Sequence, residues 1–458
     1  MKSFLKISLV LVLISFAIIA SAEINLSKKN NVISLSTPRP AKGQLDVIEL
    51  RCAPIDTVRI ALIGLGNRGA QAVNRLSYIK TAKIVVLCDL NPKYVKRAQD
   101  SLRAKGCKKA DEYTGVDDWK AICKRKDIDL VYVCTNWELH TPIALEAMRN
   151  GKHVATEVPA AVTVEECWAL VDMAEKTRKH CTNLENCNYD FFEMATLNMA
   201  QKGLFGEIIH GEGAYIHDIR EGVFSPTYYS NMWRLKQNKK FTGNLYPTHG
   251  IGPIAHAMNI HRGDKMNFLV SVSTNQFGMT EYAKKLYGEN SAQAKVEYRH
   301  GDMGTTIIKT ELGKTIMLQH DVTSPRPYSR LHSLTGTKGF AQKYPVTGLA
   351  FEPTSHSFLS PEKRDSMLKV YEHPIVKEIG EMAKKVGGHG GMDFIMDYRL
   401  IYCLNHGLPL DQDVYDAAEW SSIVELTRLS VENHSMPVQI PDFTRGAWNK
   451  VKTVTYFK

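Results

Sequence analysis

Few folds accommodate a β-branched run, Val58-Arg59-Ile60-Ala61-Leu62-Ile63, that closes directly on Gly64-Leu65-Gly66-Asn67-Arg68-Gly69. In a G-x-G-x-x-G placed between a strand and a helix, the first glycine permits the turn and the second lets backbone approach a pyrophosphate. The third allows helix and strand to pack closely. The helix is predicted from Arg68 to Tyr78, with Ala72, Val73 and Leu76 at helical spacing, and its amino end would face the phosphates. Asp89 ends the next apolar run, Lys83 to Cys88, 20 residues beyond Gly69. A carboxylate there takes the adenosine ribose hydroxyls and repels a 2′-phosphate, so the expected cofactor is NAD rather than NADP. Arg68 either flanks the pyrophosphate or is an exposed cation at the helix start.

The alternation continues with helices after Asn91-Pro92 and near Trp119, a strand at Leu130 to Cys134, a helix from Pro142 to Arg149 and a strand at His153 to Thr156. Strands alternating with helices imply a parallel sheet with right-handed crossovers, a doubly wound Rossmann domain over residues 56–180. Beyond it the rhythm changes. Ile208 to Ile216, Leu269 to Gln276, Gly304 to Thr310 and Thr315 to Val322 have period-two character, and Asp393 to Val431 is helical again. The fold class is therefore α/β, its second domain, residues 181–458, being α+β with a mostly antiparallel open sheet and C-terminal helices. Residues 23–55 are polar, hold three prolines and lack a sustained period, and read as an arm or linker.

Lys2 and Lys6 precede an apolar run from Ile7 to Ala22 that ends in Ala20-Ser21-Ala22. A charged start, apolar middle and small-residue end over residues 1–22 predict a secretory signal, too short for a comfortable membrane span. An exported, periplasmic or secreted protein with no integral membrane segment after cleavage is expected. With 44% hydrophobic and 23% charged residues the chain is neither disordered nor collagenous. Its basic runs, such as Lys124-Arg125-Lys126, carry no aromatic ladder, so no nucleic-acid partner is expected. The nine cysteines contain no C-x-x-C pair. Cys88 and Cys134 fall in apolar runs, where a thiol acts as a small hydrophobe, while pairing of Cys52, Cys107, Cys123, Cys181 and Cys187 stays open. His249, His256 and His261 lack the spacing of a zinc helix, and no metal is expected.

Two further stretches, Cys134-Thr135-Asn136-Trp137-Glu138-Leu139-His140 and Gly151 to Pro159, fall at carboxyl ends of strands, where open parallel sheets bind ligands. With them the chain resembles the Gfo/Idh/MocA superfamily of NAD(P)-dependent sugar oxidoreductases. The usual second motif there is Glu-Lys-Pro, whose lysine helps deprotonate and orient the substrate hydroxyl. Here the motif is Glu157-Val158-Pro159, so that group is missing. Together with Asn183 to Tyr189, Trp233-Arg234, Gly243-Asn244-Leu245-Tyr246-Pro247-Thr248-His249-Gly250 and Pro437 to Phe443, this makes the chain similar to glycoside hydrolase family 109 over residues 56–445. The resemblance implies a tightly held NAD and α-N-acetylgalactosaminidase activity. It implies cofactor contacts from Asn67, Arg68, Asp89, Trp137, Glu138, Leu139, His140, Glu157, Val158 and Asn186, beside Gly64, Gly66 and Gly69. Substrate contacts are implied for Tyr215, Arg234, Tyr246, Pro247, Thr248, His249 and Tyr328.

In the implied reaction a hydride leaves sugar carbon 3, the ketone acidifies the carbon 2 proton, a base removes it, and the group on carbon 1 departs. Water then adds and the hydride returns. Such a route needs a proton acceptor and donor near neutral pKa rather than the paired carboxylates of ordinary glycosidases. Histidine is the side chain whose chemistry suits that task, and His249 is expected as the principal acid/base, with Tyr246 and Tyr189 either as hydroxyl partners or as pocket wall. Three residues apart, with Pro247 opening a helix, Tyr246 and His249 would share a helical face. Arg234 beside Trp233 grips sugar oxygens or is a surface cation, and Gly387 to Asp393 reads as a hinge loop bordering the pocket. A net sugar dehydrogenase on the same fold is the alternative function, against which Val158 counts. A carbohydrate-binding protein with a relic cofactor site is a third, which the intact glycine loop disfavours. The expected partner is a glycan or glycoside, and self-association through the C-terminal sheet is a further expectation.

Overall fold

The computed structural model describes residues 25–353 and 356–453, so the signal-like run at 1–22 lies outside the described residues. The segment expected as an arm opens with a hairpin, β1 (Leu26–Lys29) and β2 (Val32–Leu35), and β2 pairs in parallel with β16 (Val438–Gln439) near the other end of the chain. Strands this short, one of them exposed throughout, carry no period of their own; the edge of an existing sheet recruits them.

The nucleotide-binding half follows as β3 (Val58–Ile63), α1 (Asn67–Leu76), β4 (Ala82–Cys88), α2 (Pro92–Ala104), β5 (Asp111–Tyr113), α3 (Asp118–Lys124), β6 (Leu130–Val133), α4 (Trp137–Arg149), β7 (His153–Thr156), α5 (Val164–Thr177) and β8 (Cys181–Asn183). The six strands form one parallel sheet in the order β5-β4-β3-β6-β7-β8. Because the chain runs from β3 outward on one side and returns to β6 on the other, a crevice opens beyond their carboxyl ends. Local chemistry starts two of these helices. Asn91 caps α2 by accepting from the Lys93 amide, and Thr163 with Glu166 forms a capping box on α5. Two boundaries differ from the sequence expectation. The parallel sheet continues past residue 180 through β8, whose three residues are too few to show a period. Helix α4 begins at Trp137, five residues before Pro142, so Trp137 to His140 form its first turn.

The second half comprises α6 (Phe191–Gln201), β9 (Ile208–Ile216), α7 (Arg220–Phe224), α8 (Trp233–Lys240), α9 (Thr248–Ala257), β10 (Met266–Ser273), α10 (Gly278–Tyr287), β11 (Gly304–Thr310) and β12 (Thr315–Asp321). There follow β13 (Ser329–Gly336), β14 (Gly339–Gln342), β15 (Gly348–Phe351), α11 (Pro361–Val370), α12 (Pro374–Val386), α13 (Met392–His406) and α14 (Val414–Glu432). The ten-stranded sheet runs β1-β2-β16-β10-β11-β12-β9-β13-β14-β15. It is antiparallel except for β12 with β9 and β16 with β2.

Helix α9 lies on this sheet with Ile251, Ile254, Ala255 and Met258 buried, which stabilises the contact by roughly 1.5–3 kcal/mol per large side chain. The approach is close because glycine faces glycine: a Cβ on Gly213 of β9 would stand 2.1 Å from the Gly250 carbonyl oxygen. Helix α13 returns to the nucleotide half, its Phe394, Ile395, Ile401 and Leu404 sharing a core with Val58, Ile60 and Leu62 of β3. A parallel sheet needs both faces covered, and this cover comes from more than 300 residues downstream. All nine cysteines are free thiols. No helix among the described residues is long and apolar enough to cross a membrane.

Candidate active site

The glycine loop fits a dinucleotide on steric grounds. Gly64 has φ +91°, and a Cβ there would lie 2.5 Å from the Cys134 carbonyl group. At Gly69 a Cβ would lie 1.9 Å from the Gly64 oxygen, whereas at Gly66 it would meet nothing within 4 Å. The first and third positions are closed by packing and the second stands open, the pattern a pyrophosphate requires. Asp89, at the end of β4, accepts from the Leu65 amide at 2.6 Å and the Asn91 amide at 2.8 Å, which places its carboxylate beside the loop where a ribose would lie.

Arg68 is not an exposed cation at the helix start. Its Nε donates to Glu157 Oε1 at 2.8 Å and its Nη1 to Asp393 Oδ2 at 2.9 Å, so it ties the glycine loop to the end of β7 and to α13. Asn186 donates its side-chain amide to the other Asp393 oxygen.

The second cluster grows from the Asn244 to His249 segment. The Asn244 amide donates to Thr427 Oγ1 of α14 at 2.9 Å, and the Asn244 side chain accepts from the Tyr246 amide at 3.0 Å. Pro247 occupies the cap position of α9. Tyr246 therefore precedes the helix, and the expected shared helical face does not exist; the rings meet edge to face instead, 4.9 Å between centroids, because the turn folds Tyr246 back.

His249 Nδ1 lies 2.8 and 2.9 Å from the two oxygens of Glu185, which is wholly buried. Burial pushes the Glu185 carboxyl up, but the His249 charge, its hydrogen bond and the Cys187 amide outweigh this and hold it below the ordinary glutamate value. An ionised carboxylate only accepts, so Nδ1 carries a hydrogen, and in the neutral form of the ring the lone pair falls on Nε2. Replacing Glu185 by Gln is expected to lower kcat by about 10²-fold or more while KM changes little, because the amide no longer enforces that tautomer. Steady-state kinetics on the purified variant checks this. Glu185, Cys187 and His249 also bring ligand-type atoms within 4.8 Å of one another, a grouping that the spacing of the histidines does not show.

Tyr215 of β9 stands at the centre, 4.7 Å from the Tyr246 ring, 5.5 Å from His249 and 6.5 Å from Tyr328. Arg234 lies over the rings of Tyr246 at 4.7 Å, Tyr229 at 5.2 Å and Trp137 at 5.3 Å, and donates to the Tyr229 hydroxyl at 2.8 Å. It is buried and not a surface cation. Burial pushes Tyr215 up to about 12, against the pull of Arg234, and drives Tyr246 well above the ordinary phenol value. Both are donors at neutral pH. Trp137 stacks on Tyr246 at 6.1 Å and meets Trp233 edge-on at 5.0 Å, so the nucleotide half contributes directly to this wall.

Several expected site residues are placed otherwise. The Tyr189 hydroxyl donates to Asp411 at 3.1 Å, and Asp411 is held by Arg399, so this buried phenol is engaged with an interior ion pair. His140 is buried with its ring nitrogens 2.8 Å from the Pro159 carbonyl and 3.1 Å from the Thr135 carbonyl; it fixes the two loops instead of presenting its ring to a ligand. Leu139 packs on the core, and Glu138 accepts from Gln237 of α8 at 3.3 Å. These differences share a cause, since α4 starts at Trp137 and only one face of its first turn meets the crevice. Val158 and Thr248 are buried, Pro247 caps α9, and Tyr328 lies at the rim with its hydroxyl 3.4 Å from Arg330. Glu185 and Asp393 were not recognised in the sequence as site residues. Each lies within a segment that stood out, Asn183 to Tyr189 and Gly387 to Asp393, but nothing local says which carboxylate turns inward.

Fold and crevice together define an NAD-binding protein of the oxidoreductase type with a second, substrate-facing domain. A family model described as "Oxidoreductase family, NAD-binding Rossmann fold" matches residues 58–184, and one described as "Glycosyl hydrolase 109, C-terminal domain" matches residues 189–450. The chain is 54% identical over 411 residues to an alpha-N-acetylgalactosaminidase of Bacteroides fragilis, covering 89% of this chain and 97% of the relative. It is 50% identical over 444 residues to glycosyl hydrolase family 109 protein 1 of Phocaeicola vulgatus, covering 94% and 93%. The chain belongs to glycosyl hydrolase family 109. Its fold is shared with a levoglucosan dehydrogenase solved with NADH and levoglucosan, at a TM-score of 0.64 and 18% identity, over 84% of this chain and 100% of that one.

Proposed function

We propose that the protein hydrolyses terminal α-N-acetylgalactosaminides with NAD as a resident, regenerated cofactor. The observation that carries this is the Glu185–His249 pair inside an aromatic wall at the carboxyl edge of the parallel sheet, with Val158 where the dehydrogenases have lysine. Gly64, Gly66, Gly69 and Asp89 would hold the dinucleotide. When bound, NAD accepts a hydride from one sugar carbon and returns it at the end of turnover.

The chain's own groups handle protons and charge. Glu185 keeps Nδ1 of His249 protonated, so Nε2 takes the proton from the carbon next to the carbonyl and returns it after water has added. The carbon 1 to oxygen bond breaks in between, and its electron pair leaves with the aglycone oxygen. Tyr215 and Tyr246, kept protonated by burial, donate hydrogen bonds to sugar oxygens, and Arg234 spreads positive charge over the same pocket.

The test is a paired time course on an aryl N-acetyl-α-galactosaminide in heavy water, following aglycone release and NADH absorbance. Many turnovers per cofactor, no NADH build-up and deuterium at carbon 2 are expected. Stoichiometric NADH without aglycone release would instead identify a sugar dehydrogenase.

The sequence pattern at residues 1–22 supports export, which fractionation of cells expressing the full chain tests. Val270, Ile307 and Met317 stand in register on the sheet face turned away from α9, which supports self-association through that face; sedimentation of the purified protein tests it.

A further inference from the structure

One carboxylate ties the glycine loop after the central strand to the segment after the edge strand β8. Asp393 lies in the first turn of α13, has no solvent exposure, and spends both oxygens. Its Oδ2 accepts from Arg68 Nη1 at 2.9 Å and from Arg75 Nη1 at 3.3 Å, and its Oδ1 accepts from the Asn186 amide. Arg68 lies in the glycine motif after the central strand β3, whereas Asn186 follows β8 at one edge of the sheet. The carboxylate between them belongs to the substrate half of the chain. Toward solvent it is covered by His389, whose Nδ1 lies 3.0 and 3.1 Å from the two oxygens and 3.4 Å from Arg68 Nη1. The His389 side chain is 53% exposed, so it is the outermost member of the group. Behind it, Arg75 Nε donates to Asp397 at 2.7 Å, and Asp397 accepts from the Tyr132 hydroxyl at 2.8 Å.

A buried carboxylate with four donors aimed at it holds those donors in one orientation, since turning any of them away leaves charge unpaired in a poor solvent. We infer that Asp393, covered by His389, is a positioning residue for the dinucleotide: it holds Arg68 and Asn186 in the orientation in which they retain NAD. The inference rests on the NAD reading of the crevice. It makes retention of the cofactor depend on the substrate half of the chain, which suits a reaction in which NAD is never exchanged.

The test compares the wild type with Asp393→Asn, Asp397→Asn and His389→Ala, each stripped of nucleotide. NADH affinity and release rate are read by fluorescence, thermal stability by calorimetry, and turnover with and without added NAD. Asp397→Asn serves as the comparison because it breaks the same Arg75 cluster but leaves Arg68 and Asn186 on Asp393. Asp393→Asn is expected to weaken NADH binding by roughly tenfold or more, with turnover substantially restored by saturating NAD. Asp397→Asn should lose thermal stability yet bind NADH within about twofold of the wild type. His389→Ala should melt like the wild type and release NADH several times faster.

NADH binding by Asp393→Asn as tight as in the wild type would overturn the inference. So would equal weakening by Asp397→Asn, which would make the effect one of general stability. If Asp393→Asn does not fold, an unchanged release rate in His389→Ala is the overturning result. A wild-type protein that binds no NADH would sink the NAD reading itself, a different outcome from any of these.

Discussion

Replacing His249 by Ala is expected to lower kcat on an aryl N-acetyl-α-galactosaminide by about 10²–10⁴-fold, the range a positioned acid/base supplies, with NAD content unchanged. The argument is geometric. The His249 ring meets both Tyr215 and Tyr246, whereas His217 and His320 contact Tyr215, and Glu185 holds the His249 Nδ1 so that Nε2 is the nitrogen left for the substrate. The tyrosines cannot take over, because burial keeps both phenols protonated. Removing the ring also strips Glu185 of its main partner in a buried place, so a loss of stability accompanies the loss of rate. His249→Gln separates the two effects, since its amide still donates toward Glu185 but has no titrating nitrogen. Both variants should be inactive, and the glutamine variant should melt closer to the wild type. Activity within a few-fold of wild type in either would remove His249 from the chemistry. An Ala variant that loses NAD together with activity would move its role to the cofactor.

Gly69→Ala is expected to abolish NAD binding and to destabilise the nucleotide half by about 3 kcal/mol or more. The added methyl would start 1.9 Å from the Gly64 oxygen and 3.3 Å from Leu62 Cδ2, and neither neighbour can yield cheaply. Gly64 is pinned against the Cys134 backbone, and Leu62 is itself fully buried in the central strand. Relief therefore comes from moving the first turn of α1 away from β3. That shift displaces the loop that faces the pyrophosphate and, through Arg68, breaks its ties to Glu157 and Asp393. Cofactor content after gel filtration and a calorimetric scan read the two consequences. A variant that retains NAD stoichiometrically would show that the loop tolerates the displacement. Gly66→Ala provides the contrast: with nothing within 4 Å of its Cβ the apo fold should be intact, and only binding should suffer.

How much of this was legible beforehand depended on the range of the interaction. The glycine loop, Asp89 and the βαβ rhythm are written within short windows, because strand, turn and helix there are dictated by neighbours in sequence. His249 and Tyr246 could be singled out from one eight-residue segment, although their spacing suggested the wrong reason for their contact. The hairpin at β1 and β2, the ladder from β13 to β15 and the start of α4 at Trp137 carried weak local signals. They form because an edge, a face or a loop elsewhere completes their hydrogen bonds or buries their apolar sides.

The pairing of charges lies beyond any window. Arg68 with Glu157 and Asp393, His249 with Glu185, and Tyr189 with Asp411 join residues separated by 89, 325, 64 and 222 positions. Sequence by itself determined a doubly wound nucleotide domain with its loop and acid, the family segment that carries His249, and the absence of the usual lysine at Val158. Tertiary structure alone decided which carboxylates are buried, which imidazole nitrogen meets a carboxylate, and which tyrosines pack around His249. The reason is physical: covalent neighbours and hydrophobic period govern backbone shape locally, whereas desolvation and charge pairing depend on what the folded chain packs around each group.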